Sequence, residues 1–269
     1  MSLLRKATTL AFGEGLARVF GVVVYVLIAR ELGVAGFGVF SFAMGTALLA
    51  GVVIDMGQNS HLGRTIPGGG HEHAHLYARM TFNKLLFGLA ITGAAFLLMK
   101  LLGVDSETVY VTLLMFGWVT LLQIVEGMRA VMRALGWMAA DSIINALESA
   151  GRLLAVLVAA WLGAGLVGFG MAFLAEAAIA GIVGLALVSR RVRLIPTAQE
   201  WAANASFARE AAALGLVAIA SAGFYRLDQV FILPLAGESA SGLYGAAARV
   251  VFTATVSSIL IAQAAYPGL

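Results

Sequence analysis

Four arginines, Arg18, Arg152, Arg226 and Arg249, stand in stretches that are otherwise apolar. An arginine at the centre of a lipid bilayer costs roughly 2.5–3.5 kcal/mol on insertion scales. Four such penalties rival a typical net folding stability of about 5–15 kcal/mol. These side chains must therefore face water, a partner or a ligand. Acidic residues recur in similar surroundings at Asp55, Glu126, Glu176 and Asp228. Glu14 and Arg18 are four apart and share a helical face, so they can neutralise each other. Asp141, Asn145, Glu148 and Arg152 follow at spacings of four, three and four, a polar stripe along one side of a helix. Ser221, Tyr225 and Asp228 share another face, and Arg249, Thr253 and Ser257 repeat at i, i+4, i+8.

Two kinds of chemistry fit this pattern. Structural ion pairs between helices are one; the lining of a polar cavity is the other. The stripe ending at Arg152 has more polar groups than a single structural pair requires, which favours a lining. Arginine grips phosphate through a bidentate fork that lysine lacks. The deep cations read here are all arginines, so a phosphate-bearing lipid fits better than a neutral sugar or a cationic drug. His71-Glu72-His73-Ala74-His75, after Gly68-Gly69-Gly70, has alternating imidazoles that suit Zn²⁺ or Ni²⁺ in an extended loop. Short histidine tracts in glycine-rich loops are usually solvated linkers, and no metal site is assigned. The chain has no cysteine, so thiol chemistry does not arise.

The elements that must position these residues are membrane helices. Of the 269 residues 61% are hydrophobic and only 12% charged, against about 25% charged in soluble domains. Long runs rich in Ala, Leu, Val and Gly, without strand-like alternation, predict an all-α polytopic membrane protein. About 20 apolar residues span the hydrocarbon. Eight stretches meet that length: Thr8 to Ala29, Phe37 to Gln58, Thr81 to Met99, Thr108 to Met128, Asp141 to Leu162, Gly168 to Val188, Ala211 to Leu235, and from Leu243 onward. Arg5 and Lys6 before the first run faintly resemble a signal peptide, but Glu14 and Arg18 interrupt it, and it reads as a retained helix.

Alternating the connections places eleven cations on one side: Arg5, Lys6, Arg64, Arg79, Lys84, Arg129, Arg133, Arg190, Arg191, Arg193 and Arg209. The other side has two, Arg30 and Lys100. This asymmetry predicts a cytoplasmic N-terminus, and it accounts for the net charge of +3 without nucleic acid. A polar stretch, 191–208, reads as a cytoplasmic linker between a six-helix unit (1–190) and two further helices (209–269). Because Leu269 follows apolar sequence directly, a longer protein cut within or after its eighth helix is expected.

The run Leu27-Ile28-Ala29-Arg30-Glu31-Leu32-Gly33-Val34-Ala35-Gly36-Phe37-Gly38-Val39-Phe40 resembles the first helix–loop–helix of polysaccharide flippases. These belong to the multidrug/oligosaccharidyl-lipid/polysaccharide exporter superfamily. Asp55-Met56-Gly57 resembles the family's DxG after the second helix, and Arg133-Ala134-Leu135-Gly136 the segment joining helices four and five. Arg226-Leu227-Asp228-Gln229 and the run from Gly242 to Arg249 resemble the helices opening a second lobe. Phe37-Gly38 and Tyr244-Gly245 hint at an internal repeat.

The resemblance implies two six-helix bundles, of which this chain holds the first lobe and the start of the second. It implies transport of an undecaprenyl-pyrophosphate-linked oligosaccharide from the cytoplasmic to the periplasmic leaflet of the bacterial inner membrane, in surroundings of membrane lipid. Arg18, Arg152, Arg226 and Arg249 would hold the pyrophosphate. Glu14, Asp55, Glu148 and Asp228 would bind the coupling ion, H⁺ or Na⁺. It implies no catalytic residue and no cofactor; the glycan and the oligomeric state stay open. A multidrug-type exporter would favour acidic over basic cavity residues. A membrane-embedded glycosyl- or acyltransferase would need clustered acids or a base at the membrane face, whereas the acids here read as scattered over different helices.

Overall fold

All regular structure among the described residues is α-helical. The computed structural model describes the backbone of residues 3–69, 76–189 and 204–265, and side-chain surroundings for 19–65, 76–189, 209–224 and 226–251. The helices are α1 (Leu3–Asp55), α2 (Gln58–Gly69), α3 (Leu76–Leu101), α4 (Ser106–Ala134), α5 (Met138–Trp161), α6 (Gly165–Val188), α7 (Asn204–Ala236) and α8 (Glu238–Ala265). An unbroken α1 would be about 80 Å long, well beyond roughly 30 Å of hydrocarbon. Gly33 interrupts it with φ 67° and ψ −175°, a conformation that a side chain would forbid. The break yields two arms, α1a (3–32) and α1b (34–55). The loop expected between the first two spans is thus a single residue.

Five stretches among the described residues are long and apolar enough to cross a membrane: Val19–Asp55, which contains the break, and α3, α4, α5 and α6. A sixth is the bent pair Arg209–Phe224 and Arg226–Ala236 within α7. Its 45° bend precedes Pro234 by more than two turns, so the proline, whose lost hydrogen bond falls one turn back, does not cause it. The apolar residues left outside carry the same message. Leu89, Leu97 and Leu98 on α3, Ile182 on α6 and Trp161 at the end of α5 all face outward, as lipid-facing helices require. The chain is a polytopic helical membrane protein.

Inside, α4 is the hub, packed against α1, α2, α3, α5 and α6. Both arms of α1 enter one apolar core. Val24 and Ile28 come from α1a, Phe40 and Met44 from α1b, and Trp118 and Phe173 from α4 and α6. The Phe173 ring meets Phe40 at 5.6 Å and Trp118 at 5.3 Å, both edge-on.

Helices α7 and α8 pack against α1. Ser241 Oγ donates to the Gly38 carbonyl at 3.0 Å, and a methyl added to Gly38 would collide with the Glu238 carbonyl. At the other end of α1b, Gly57 and Gly215 also lie directly against opposing backbone.

Several boundaries move. The second span stops at Asp55, where Met56 and Gly57 take positive φ, and α2 follows. α2 escapes a search for apolar runs because it is polar. α7 begins at Asn204, inside the stretch read as a linker. Two of the eleven supposed loop cations, Arg79 and Lys84, are buried within α3. The histidine tract lies outside the described residues.

Candidate functional site

The stripe on α5 is buried against charges from α4 and α6. Asp141 accepts from Arg129 Nε at 2.9 Å and from an Arg133 terminal nitrogen at 3.1 Å. Arg129 also donates to Glu126 at 2.7 Å and to Glu148 at 3.2 Å. One guanidinium thus ties three carboxylates from two helices. Glu126, Asp141 and Glu148, which look scattered in sequence, are gathered here, and arginine occupies them. No group of metal-ligating side chains occurs among the described residues.

Further along the stripe, Arg152 donates from Nε to Glu176 Oε2 at 3.2 Å. Its guanidinium carbon sits 5.6 Å from the Trp118 ring centre and 5.5 Å from that of Phe173. The cation is held by two aromatic rings as well as by its carboxylate.

Asp55, a candidate for ion coupling, is committed to Lys84, whose Nζ lies 2.9 Å away. The same ammonium donates to Asn59 Oδ1 at 2.7 Å and to the Gln123 carbonyl at 2.6 Å. All three ammonium hydrogens therefore have acceptors. Lys84 is a deep cation that the sequence reading counted as a loop charge, so the buried cations are not all arginines.

Arg226 and Arg249 approach each other across α7 and α8 closely enough for their charges to act on one another. Arg249 stacks 3.6 Å above the Tyr25 ring centre, bringing α1a into the same group. Asp228 lies on the exposed side of α7 and accepts a short hydrogen bond from the Tyr244 hydroxyl. Glu14 and Arg18 lie outside the residues whose side chains are described, as do Tyr225, Thr253 and Ser257.

These groups share a level. Leu32, Asp105, Leu166 and Glu238 line one cavity of ≈ 390 Å³ at a common end of the bundle, the end where α5 and α7 finish and α8 begins. Measured from that end, Arg152, Arg226, Arg249 and Tyr25 are each roughly 12–17 Å down their helices. That depth is about the middle of a bilayer. Three arginines from three helices lie at that level; Arg226 and Arg249 act on each other there, and Arg152 is paired with Glu176. The acidic cluster of α4 and α5 lies nearer the opposite end, where Asn59, Ser60 and Arg133 border a cavity of ≈ 520 Å³.

Tyr25, Trp118 and Tyr244 carry no charge and escaped a reading built on charges. Arg129 and Arg133 escaped because α4 runs well past Met128, where the span was expected to end.

Apolar helices closed around buried arginines and carboxylates define a membrane protein that manages charge within the bilayer. The chain belongs to the polysaccharide biosynthesis protein family, whose model matches residues 3–269. The resemblance drawn from the motifs around Gly33, Asp55 and Arg226 is thereby confirmed over almost the whole chain. No curated protein and no solved structure shows significant similarity to it.

Proposed function

We propose that this chain forms the first lobe, and the opening helices of a second, of a flippase for a polyprenyl-pyrophosphate-linked oligosaccharide. Its direction is from the cytoplasmic to the periplasmic leaflet of the bacterial inner membrane, with the N-terminus cytoplasmic. The observation that carries this reading is the placing of Arg152, Arg226 and Arg249 at one depth of the helix bundle, in a member of a polysaccharide biosynthesis family. A pyrophosphate complements the charge of such cations, and a guanidinium fork suits its oxygens. The mutual repulsion of Arg226 and Arg249 leaves them better disposed to an anion than to a neutral headgroup. Among the proposed ion-coupling residues, Asp55 is engaged by Lys84 and Glu148 by Arg129, whereas Asp228 lies on the exposed side of α7 beside the Tyr244 hydroxyl.

The test is complementation of a strain lacking the gene, with surface polysaccharide as readout and membrane insertion checked separately. An inserted variant carrying Arg152→Ala, Arg226→Ala and Arg249→Ala is expected to restore less than a tenth of wild-type polymer. Full restoration would sink the reading.

A further inference from the structure

Glu176 is 3% exposed and commits one oxygen, Oε2, to Arg152; the other, Oε1, is buried without a hydrogen-bond partner. Trp118 Nε1, on an indole beside the same guanidinium, is also buried and unpartnered. A bare carboxylate oxygen in such a place is costly, far more so than a neutral one. The surrounding charges add to the case. Glu126, Asp141, Glu148 and Glu176 are four carboxylates sharing three guanidiniums, those of Arg129, Arg133 and Arg152. Lys84 is taken by Asp55. The charge acting on Glu176 is that of Arg152. Those acting on Glu148 are Arg129 and Glu126 from α4, Arg152 from α5 and Glu176 from α6. α1 packs on α5 and α6 but adds no described charge to either acid.

The pair is also lopsided. The Arg152 side chain is 26% exposed and that of Glu176 only 2%, so the cation reaches accessible space while its carboxylate does not. We propose that Glu176 is a proton-operated competitor for Arg152. Ionised, it holds the guanidinium; protonated, it releases Arg152 to an anionic ligand. The proton adds to Oε1, an O–H bond forms, and the surplus negative charge is removed. The ion pair becomes a neutral contact, and no other covalent bond changes. Trp118 and Phe173 keep the guanidinium in place throughout, since their stacking does not depend on the charge of Glu176. Proton and anion then bind cooperatively, each raising the other's affinity by the same factor. The release to an anion rests on the proposed role of Arg152; the proton on Glu176 does not.

The experiment uses the full chain in lipid nanodiscs and has two readouts. Infrared difference spectra between mildly alkaline and mildly acidic buffer should show a carboxylic-acid C=O band that Glu176→Gln removes and Glu148→Gln leaves. Arg152→Gln deprives Glu176 of its cation and should keep that band present in alkaline buffer. This variant decides the matter even if Glu176→Gln fails to insert. A band indifferent to both substitutions overturns the proton site.

Calorimetry with sulfate, a tetrahedral dianion that does not titrate in this range, is the second readout. Wild type should bind roughly tenfold more tightly on the acid side and take up a proton. Glu176→Gln should hold the tighter affinity in both buffers. Binding that requires Arg152 yet ignores pH, or follows sodium ions instead, overturns the competition. Binding unchanged in Arg152→Gln refutes the anion-binding role of Arg152 instead.

Discussion

Lys84 holds its ammonium 2.9 Å from the Asp55 carboxylate, with none of the lysine side chain reaching the surface. The pair joins α3 to the end of α1b, and Asn59 of α2 and Gln123 of α4 complete the ammonium's shell. Four helices thus converge on one buried charge.

Removing that charge alone strands its partner. Lys84→Met is expected to destabilise the protein by about 3–5 kcal/mol, the range for breaking a buried pair from one side. Lys84→Met with Asp55→Asn should recover part of the loss. Denaturant unfolding of the purified chain in detergent checks both. A loss in the double variant equal to the sum of the Lys84→Met and Asp55→Asn losses would show that the pair is not coupled.

The approach of α1b to α8 depends on the absence of side chains. Gly38→Val places new carbon against the Glu238 carbonyl, a backbone atom that cannot turn aside. The expected cost is about 1–3 kcal/mol of overpacking. Gly21→Val, at a helical position with open space around it, is the control and should cost much less. Thermal unfolding in detergent compares the two.

Arg249 owes part of its placement to Tyr25. Tyr25→Phe keeps the ring face and should leave anion binding within a factor of two or so, whereas Tyr25→Ala should weaken it by about 0.5–2 kcal/mol. Sulfate titration of the three proteins reads the difference.

Asp105 caps α4 by accepting from the Thr108 amide at 2.9 Å. Partial burial pushes its carboxyl up, but hydrogen bonds from Thr108 and Glu107 outweigh this and hold it below the usual range. Its folded value is therefore the lower one. The stabilisation is full above the ordinary carboxylate value and is lost as pH falls through the depressed one. Asp105→Ala should cost about 1 kcal/mol at neutral pH. The gap to wild type should close in strongly acidic buffer, and thermal unfolding across that range tests it.

The spans were legible because runs such as Thr108 to Met128 have no soluble explanation. The cap at Asp105 and the glycine at 33 were visible as residue types, but that one glycine could replace a whole loop was not. Lys84 shows the limit more sharply. A charge eight residues into a helix reads as a loop cation when the helix start is misplaced, and its partner Asp55 is remote in sequence. The pairing of Arg152 with Glu176 bridges 24 residues and two helices. Spacing along α5 announced a polar face but not what α6 would set against it. Glu126, Arg129 and Arg133, at i, i+3 and i+7, were a readable stripe concealed by an early helix end.

The contact between α1b and the last two helices runs through Gly38, Gly45 and Gly57, facing Gly242, Gln229 and Gly215. Such a seam has few long side chains to immobilise when it closes and little apolar surface to uncover when it opens. Under the proposed transport cycle, a seam that meets backbone to backbone favours reversibility.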